Sequence, residues 1–216
     1  MEIGILGTGM VGRTIGSKLV QIGHQVMLGS RDAANPKAIA WANKVSSPHA
    51  LYGTFKNAAE FGEIIFNCTL GSASLDVLLQ VGAKNLKDKL LIDVSNPIDY
   101  SSEGLTLTVC NTDSLGEQIQ RAFPETRVVK TLNTMNCNMM IEPDKVPGRT
   151  NVFVSGNDPK AKEAVAEILR DWFGWKSIID LGDITTSRGV EMYLVLWSSI
   201  RHAVTADRFN IKVMTS

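Results

Sequence analysis

A glycine-rich segment near the start of the chain has the spacing of a dinucleotide-binding loop. Gly7, Gly9 and Gly12 form a GxGxxG pattern after a short apolar run and before a segment with helical periodicity. In such loops the first glycine makes a tight turn, the second lets the backbone approach a pyrophosphate, and the third allows close packing of helix on strand. A turn without a ligand is the alternative, which the placement between strand and helix disfavours. The predicted phosphate cradle consists of Gly7, Thr8, Gly9, Met10, Val11 and Gly12.

The tip of the second predicted strand favours NADP over NAD. An NAD site usually has an acidic residue here for the ribose 2′-hydroxyl, whereas an NADP site needs a cation for the 2′-phosphate. Ser30 and Arg31 stand at the tip, and both can donate to phosphate oxygens. Lys37, in the first turn of the next predicted helix, is a further candidate. Asp32 leaves NAD as an alternative cofactor, because its carboxylate could reach the ribose. The simpler interpretation is that Asp32 belongs to the loop before the predicted helix cap at Asn35.

Three more loops follow predicted strands and should meet at one edge of the sheet. In an open parallel sheet, ligands bind outside the carboxyl ends of the strands, near the point where the strand order reverses. The small and polar residues of these loops suit a cofactor ring and its ribose. The candidates for the nicotinamide half of the cofactor are Thr69, Leu70, Gly71, Ser95, Asn96 and Pro97, while Asn133, Thr134 and Met135 are expected close to the reacting ring.

The sequence offers no clear proton donor for this edge. Of the three histidines, His24 and His49 are predicted at the wrong ends of their strands, as surface residues, and His202 on a helix flank. Lys160 has a spacing that resembles the lysine motif of hydroxyacid dehydrogenases, but it falls in the first turn of a predicted helix. We therefore predict no catalytic side chain. Hydride would pass directly between two rings about 3 to 3.5 Å apart, with alignment and water exclusion supplying the catalysis.

The composition is typical of a globular enzyme. Of 216 residues, 44% are hydrophobic, and 22 basic residues balance 22 acidic ones, so we expect no nucleic-acid partner. A predicted strand from residue 2 and the absence of a long apolar run predict a cytoplasmic chain without signal peptide or membrane contact. Cys68, Cys110 and Cys137 lack CxxC spacing, which indicates reduced, buried thiols rather than disulfides or a metal site.

Alternating strands and helices predict an α/β fold, a Rossmann-type doubly wound and mostly parallel sheet. Strands are expected at 2–6, 25–28, 50–55, 63–69, 89–94, 127–132, 151–155 and 176–181. Helices are expected at 13–22, 37–44, 57–61, 74–81 and 114–122, and after the cap and proline pair Asp158 and Pro159.

The last part of the chain has a different pattern. Residues 1–182 are expected to form the dinucleotide-binding domain, and 183–216 a short C-terminal helical extension that is not an independent domain. The helix predicted at 187–205 is apolar over a wide arc, so we expect burial on two sides, either within a monomer or against a second subunit. A short strand is predicted at 209–213.

Four segments together resemble the NADP oxidoreductases that depend on coenzyme F420. They are the GxGxxG loop, GSRD at 29–32, DVSNP at 93–97 and KTLNTM at 130–135. The same segments are similar to the NADPH-binding part of the STEAP ferric reductases, which pass hydride to a flavin.

This resemblance implies NADP as cofactor and coenzyme F420 or FMN/FAD as the second redox substrate, with Asn133, Thr134 and Met135 in contact with the second ring. It also implies a homodimer shaped in part by the terminal helix. Two other functions stay open. One is an NADPH-dependent reductase of a small carbonyl, imine or quinone substrate, which should have a protonating group. The other is a non-catalytic NADP sensor, which should bind the cofactor without turnover.

Overall fold

A computed structural model describes residues 1–99 and 104–216, with a twisted sheet of eight strands at the centre. Its strands are β1 (Glu2–Leu6), β2 (Gln25–Ser30), β3 (Ala50–Thr54), β4 (Ile64–Asn67), β5 (Leu90–Asp93), β8 (Arg127–Thr131), β9 (Val152–Ser155) and β10 (Ile178–Gly182). A separate hairpin consists of β6 (Ile98–Asp99) and β7 (Thr106–Leu107).

The strand order is β10-β9-β8-β5-β4-β1-β2-β3. All neighbours pair in parallel except β8 and β9, which are antiparallel, so β9 and β10 run against the rest of the sheet. The order reverses between β1 and β4, which leaves a crevice at the carboxyl ends of these strands. The predicted class, a Rossmann-type and mostly parallel α/β sheet, is confirmed.

Helices cover both faces of the sheet. They are α1 (Met10–Gln21), α2 (Pro36–Val45), α3 (Phe55–Phe61), α4 (Gly71–Val81), α5 (Ala83–Leu86), α6 (Leu115–Ala122), α7 (Cys137–Ile141), α8 (Pro159–Asp171) and α9 (Ser187–Val204). One buried apolar cluster includes side chains of α1, α2, α7 and α8, and a second includes those of α3, α4, α5 and α6. The predicted caps at Asn35 and Asp158 are confirmed, since each side chain accepts two backbone N–H bonds in the first turn of its helix.

Several helices begin earlier than predicted, because glycine positions were assigned to turns and Phe55 was assigned to the strand at 50–55. Gly71, expected in a turn, already belongs to α4. The hairpin of β6 and β7, the short helices α5 and α7, and two 3₁₀ turns at Pro143–Lys145 and Ile184–Thr186 were not predicted. Elements of two to five residues are too short for a hydrophobic period to show.

The end of the chain differs from the prediction in two ways. Residues 209–213 form no strand; instead, the segment contacts Asn151, whose backbone N–H donates to Ile211 O at 3.0 Å. In α9 the buried residues are Ser187, Val190 and Glu191, while Leu196 is 55% exposed, so within one chain the distal half of the helix is not buried on two sides. Burial against a second subunit stays a prediction. Within the described ranges, no helix has the length and apolarity needed to cross a membrane.

Two side-chain predictions also need correction. Cys110 is exposed, although all three cysteines have free thiols as expected. His24 is only partly exposed, since its Nε2 is buried and its ring lies 4.3 Å from that of Trp172. Burial lowers the pKa of His24, with the N-terminal ammonium adding to the effect, so this imidazole favours the neutral form.

Candidate functional site

The GxGxxG loop joins β1 to α1, and only two of its glycines are required by packing. Gly7 has φ of +119°, and a Cβ on it would lie 2.5 Å from the carbonyl oxygen of Cys68. A Cβ on Gly12 would lie 2.2 Å from the oxygen of Gly7. Nothing lies within 4 Å of a Cβ placed on Gly9. The open space at the middle glycine is where backbone can approach a diphosphate.

The first turn of α1 supplies unpaired backbone donors beside that space. Gly9 is the N-cap of α1 and has no side chain to cap the helix. The first hydrogen bond of the helix runs from the N–H of Arg13 to Gly9 O, at 3.1 Å. The N–H groups of Met10, Val11 and Gly12 precede the ladder of the helix, and the first turn has no acidic residue. Donors and helix dipole together fit the negative charge of a dinucleotide.

At the tip of β2, the structure uses some predicted residues for the turn and leaves others exposed. Ser30 is buried and its hydroxyl donates to Asp32 O at 2.5 Å, so its proton serves the loop. The Asp32 carboxylate accepts the N–H of Ala34 at 2.9 Å. Arg31 and Lys37 are exposed, and no carboxylate among the described residues pairs with either. Two cations therefore remain for an anionic ligand.

The three polar loops meet around one cavity of about 170 Å³ at the carboxyl ends of β1, β4 and β5. Its lining in the described part of the chain is Val11, Cys68, Thr69, Leu70, Gly71, Val94, Ser95, Asn96, Ile98, Asn133, Met135, Met140, Leu194 and Trp197. Two predicted site residues, Pro97 and Thr134, are buried and do not line the cavity. Of the residues predicted for the phosphate cradle, Val11 lines the cavity. Ser30, Arg31 and Lys37 lie outside the cavity.

Close backbone packing sets the width of the cavity. A Cβ on Gly71 would lie 1.8 Å from the carbonyl oxygen of Asn96, so α4 can begin here only with glycine. Beneath this contact Asn67 is fully buried and donates to Asp93 Oδ1 at 2.9 Å and Ser74 Oγ at 3.1 Å. Thr69 donates to Asn67 Oδ1 at 2.7 Å. These bonds hold the loops after β4 and β5 together.

The loop after β8 turns sharply toward the cavity. Leu132 has φ of +61°, a left-handed conformation that is unfavourable for a branched side chain and is typical of functional sites. The next residue, Asn133, donates from Nδ2 to Asn96 Oδ1 at 2.9 Å and to Val190 O at 3.0 Å. Asn96 Nδ2 donates in return to Asn133 O at 2.8 Å. The loop is thereby fixed to both β5 and α9.

A buried ion cluster lies directly behind the cavity. Lys130, fully buried in β8, has its Nζ 2.5 Å from Asp93 Oδ2 and 2.8 Å from Glu191 Oε1. It also donates to Ser95 O at 2.8 Å, and the Ser95 hydroxyl donates to Asp93 Oδ1 at 2.6 Å. Burial lowers the pKa of Lys130, but the two carboxylates outweigh it and raise the pKa above its ordinary value. Lys130 therefore stays charged.

Glu191 extends this cluster to the helical layer. Its carboxylate accepts the backbone N–H of Leu115 at 2.8 Å and of Gly116 at 3.0 Å, and so caps α6 from another helix. A second ion pair joins the same helices, with Arg188 2.6 Å from Glu117. The guanidinium holds the pKa of Glu117 below its usual range. The terminal helix is thus fixed by charge at its first turns.

Sequence reasoning missed Asp93, Lys130 and Glu191, as well as Leu194 and Trp197 of α9. One signal existed: a lysine and an aspartate end two strands whose other residues are mostly apolar, and a buried charge needs a partner. Nothing in the local pattern indicated that α9 would supply that partner. The histidines stay outside the cavity, as predicted, with His49 and His202 exposed.

The fold and the open phosphate cradle define a dinucleotide-binding oxidoreductase of the Rossmann class. A family described as "NADP oxidoreductase coenzyme F420-dependent" matches residues 2–97. A crystal structure from Arthrobacter sp. FB24, provisionally assigned as an F420-dependent NADP-reductase, is 45% identical over 100% of both chains, with a TM-score of 0.94. The chain belongs to this family of NADP-dependent oxidoreductases, which confirms the resemblance.

Two curated relatives differ in how much of their length is matched. The F420-dependent NADP reductase of Methanocaldococcus jannaschii is 24% identical over 88% of each chain. The metalloreductase STEAP3 of Rattus norvegicus is 31% identical over 88% of this chain. The chain spans 36% of the length of that metalloreductase.

We predict that Gly9→Ala weakens NADPH binding about tenfold or more without loss of stability, since the added methyl enters the cradle and touches nothing else. Isothermal titration with NADPH and thermal unfolding without it measure the two effects. Gly12→Ala is the matched control: its methyl meets Gly7 O, so the unfolding temperature should fall. An unchanged Kd for Gly9→Ala would contradict the cradle assignment.

We predict that Lys130→Met lowers the free energy of unfolding by about 3 to 5 kcal/mol, because it leaves two buried carboxylates without a cation. Lys176→Met is the control, as its ion pair with Asp144 is exposed and is worth less than about 1 kcal/mol. Urea denaturation gives both values. Asp93→Asn added to Lys130→Met should restore part of the loss.

The deficit of Lys130→Met should also depend on pH. Without the lysine, burial and mutual repulsion raise the carboxylate pKa values in the folded state. A raised folded pKa gives stability that is present at low pH and lost as pH rises, so the deficit grows from pH 5 to pH 8. A deficit that is constant over this range would show that lost packing, not charge, is the cause.

Proposed function

We propose that the protein transfers hydride directly between NADP(H) and a second redox cofactor, either the deazaflavin F420 or a flavin such as FMN or FAD. The observation that carries this proposal is the chemical character of the cavity. Among its described lining residues the single titratable side chain is Cys68, and burial, together with Asp93, raises the pKa of this thiol. Hydride transfer between rings requires no proton donor, whereas carbonyl or imine reduction does.

The cradle from Gly7 to Gly12 would bind the diphosphate, and Arg31, with Lys37, the 2′-phosphate that distinguishes NADP. Asp32 is engaged with Ala34 in a local turn, which supports NADP over NAD. Thr69, Leu70, Gly71, Ser95 and Asn96 would surround the nicotinamide half, and Pro97 would hold their loop in place. Bound NADPH supplies the hydride; the residues of the chain orient the ring and exclude water.

The second ring would lie against Asn133 and Met135, with Thr134 supporting the loop from behind. Leu194 and Trp197 of α9 add apolar surface on the other side of the cavity, which suits a flat conjugated ring. The family description and the name of the M. jannaschii relative support F420. The metalloreductase relative is the reason to keep a flavin in the proposal.

We also propose that two copies associate through α9 as a homodimer. Met192, Val195 and Leu196, spaced to share one face, are 38%, 41% and 55% exposed, and such a patch favours a partner surface. Three free thiols suit the reducing cytoplasm, where we place the enzyme. Residues 183–216 would then act as an extension of the nucleotide domain that completes both the cavity and the interface.

Arg31→Ala should raise the Kd of NADPH at least about tenfold and leave that of NADH nearly unchanged, because one charge-assisted contact to the 2′-phosphate is lost. Fluorescence titration with each nucleotide measures this. Lys37→Ala, a neighbouring exposed cation, shows by the same comparison whether it shares the contact. Equal losses for NADPH and NADH on Arg31→Ala would refute the phosphate role.

The purified enzyme should oxidise NADPH with coenzyme F420, FMN or FAD as acceptor, and faster than with carbonyl, imine or quinone compounds. Loss of NADPH absorbance against each acceptor measures this. Turnover restricted to a carbonyl or imine would sink the proposal and favour a small-molecule reductase. Tight NADPH binding without any turnover would indicate a sensor.

A further inference from the structure

The amide of Asn133 is locked in one orientation by the protein. Its nitrogen carries two hydrogens, and both are used: one binds Asn96 Oδ1 at 2.9 Å and the other Val190 O at 3.0 Å. Both partner atoms are oxygens that cannot donate to the amide oxygen, so a flip of the side chain would leave two acceptors without a donor. What remains for a ligand is Oδ1, which has no hydrogen bond from any described residue.

Asn133 lines the cavity, so this oxygen is a fixed acceptor in an otherwise largely apolar site. No described residue donates to this oxygen, so a ligand in the cavity can bring a hydrogen-bond donor to it. The carboxylates of Asp93 and Glu191 are paired with Lys130, and neither residue is among the described residues that line the cavity.

The cavity also contains an unused donor. Trp197 lines it, and the indole Nε1 is buried without a hydrogen-bond partner in the described part of the chain. The ring is held by stacking on Phe209, with centroids 5.5 Å apart and an interplanar angle of 21°. An oxygen acceptor on the ligand would satisfy this nitrogen. One fixed acceptor and one fixed donor complement the two halves of an amide group.

We propose that Asn133 and Trp197 recognise a ring-borne amide, with Asn133 Oδ1 accepting its N–H and Trp197 Nε1 donating to its carbonyl. This inference rests on the proposed function and specifies which chemical group of the ligand the cavity recognises. Two groups in that reaction have this chemistry: the carboxamide of nicotinamide, and the N3–H with its adjoining carbonyl in the pyrimidinedione ring of a flavin or deazaflavin. The same residues would then determine specificity, without taking part in proton transfer.

The first test compares ligands on the unaltered protein, so that folding of a variant is not at issue. NADP and its 3-acetylpyridine analogue differ by a methyl group in place of the carboxamide NH₂, and both keep the carbonyl. FMN and 3-methyl-FMN differ by loss of the N3–H. If the inference holds, Kd differs at least about tenfold within one of these pairs, and the pair identifies the source of the amide.

Variants then assign the contacts. Asn133→Ala should abolish the difference within the discriminated pair, because the acceptor is gone. Trp197→Phe keeps the aromatic stack and removes only the N–H, so it should weaken both members of that pair equally, since both keep a carbonyl. Asn138→Ala, an exposed asparagine in the following helix, is the control and should leave all four Kd values unchanged.

Equal affinity within both pairs overturns the inference, whatever the variants show. A discriminated pair whose difference persists in Asn133→Ala overturns the assignment to that residue. Failure of the proposed function gives a different result, because NADPH would then not be oxidised with coenzyme F420, FMN or FAD. Failure of NADP binding itself would show as loss of binding of adenosine 2′,5′-bisphosphate, which lacks the nicotinamide. If the bisphosphate binds and the two members of each ligand pair bind equally well, NADP binding is intact and only the amide recognition is refuted.

Discussion

The ion pairs of Lys130 connect more of this structure than any other interaction. A single buried ammonium on β8 binds Asp93 at the end of β5 and Glu191 on α9, and Glu191 in turn caps α6. A buried ion pair contributes little net stability because desolvation offsets the attraction, but removing one partner is costly. The cluster therefore acts chiefly on specificity: alternative placements of α9 would leave a charge buried without a partner.

The cavity inherits its shape from this arrangement. Ser95 binds both Lys130 and Asp93, and Asn133 is held between Asn96 and α9, so both loops that face the cavity are fixed from behind. On the other side, Gly71 permits van der Waals contact that any Cβ would prevent. Such a site is rigid, and only a few of its atoms are polar. That character suits a reaction whose catalysis comes from positioning two rings.

The match to the family covers some of the residues that line the cavity and not others. The family profile covers residues 2–97, which contain the phosphate cradle, the β2 tip and the first two cavity loops. The loop at Asn133 and the helix α9 lie beyond it and contribute the face that would meet the second substrate. In the rat metalloreductase, the matching region is 36% of a longer chain.

The sequence by itself predicted the eight strands of the sheet, a glycine loop between β1 and α1 and NADP as the cofactor, because each depends on local spacing or on residue types at a strand tip. It also predicted that the loops after β4, β5 and β8 would meet, since parallel strands end at one edge. Only the tertiary structure decided that Lys130 and Glu191 pair, that Ser30 serves its own turn, that Asn133 presents an oxygen, and that the tail at 209–213 is not a strand. These features depend on contacts between residues distant in the chain, for which local periodicity carries no signal.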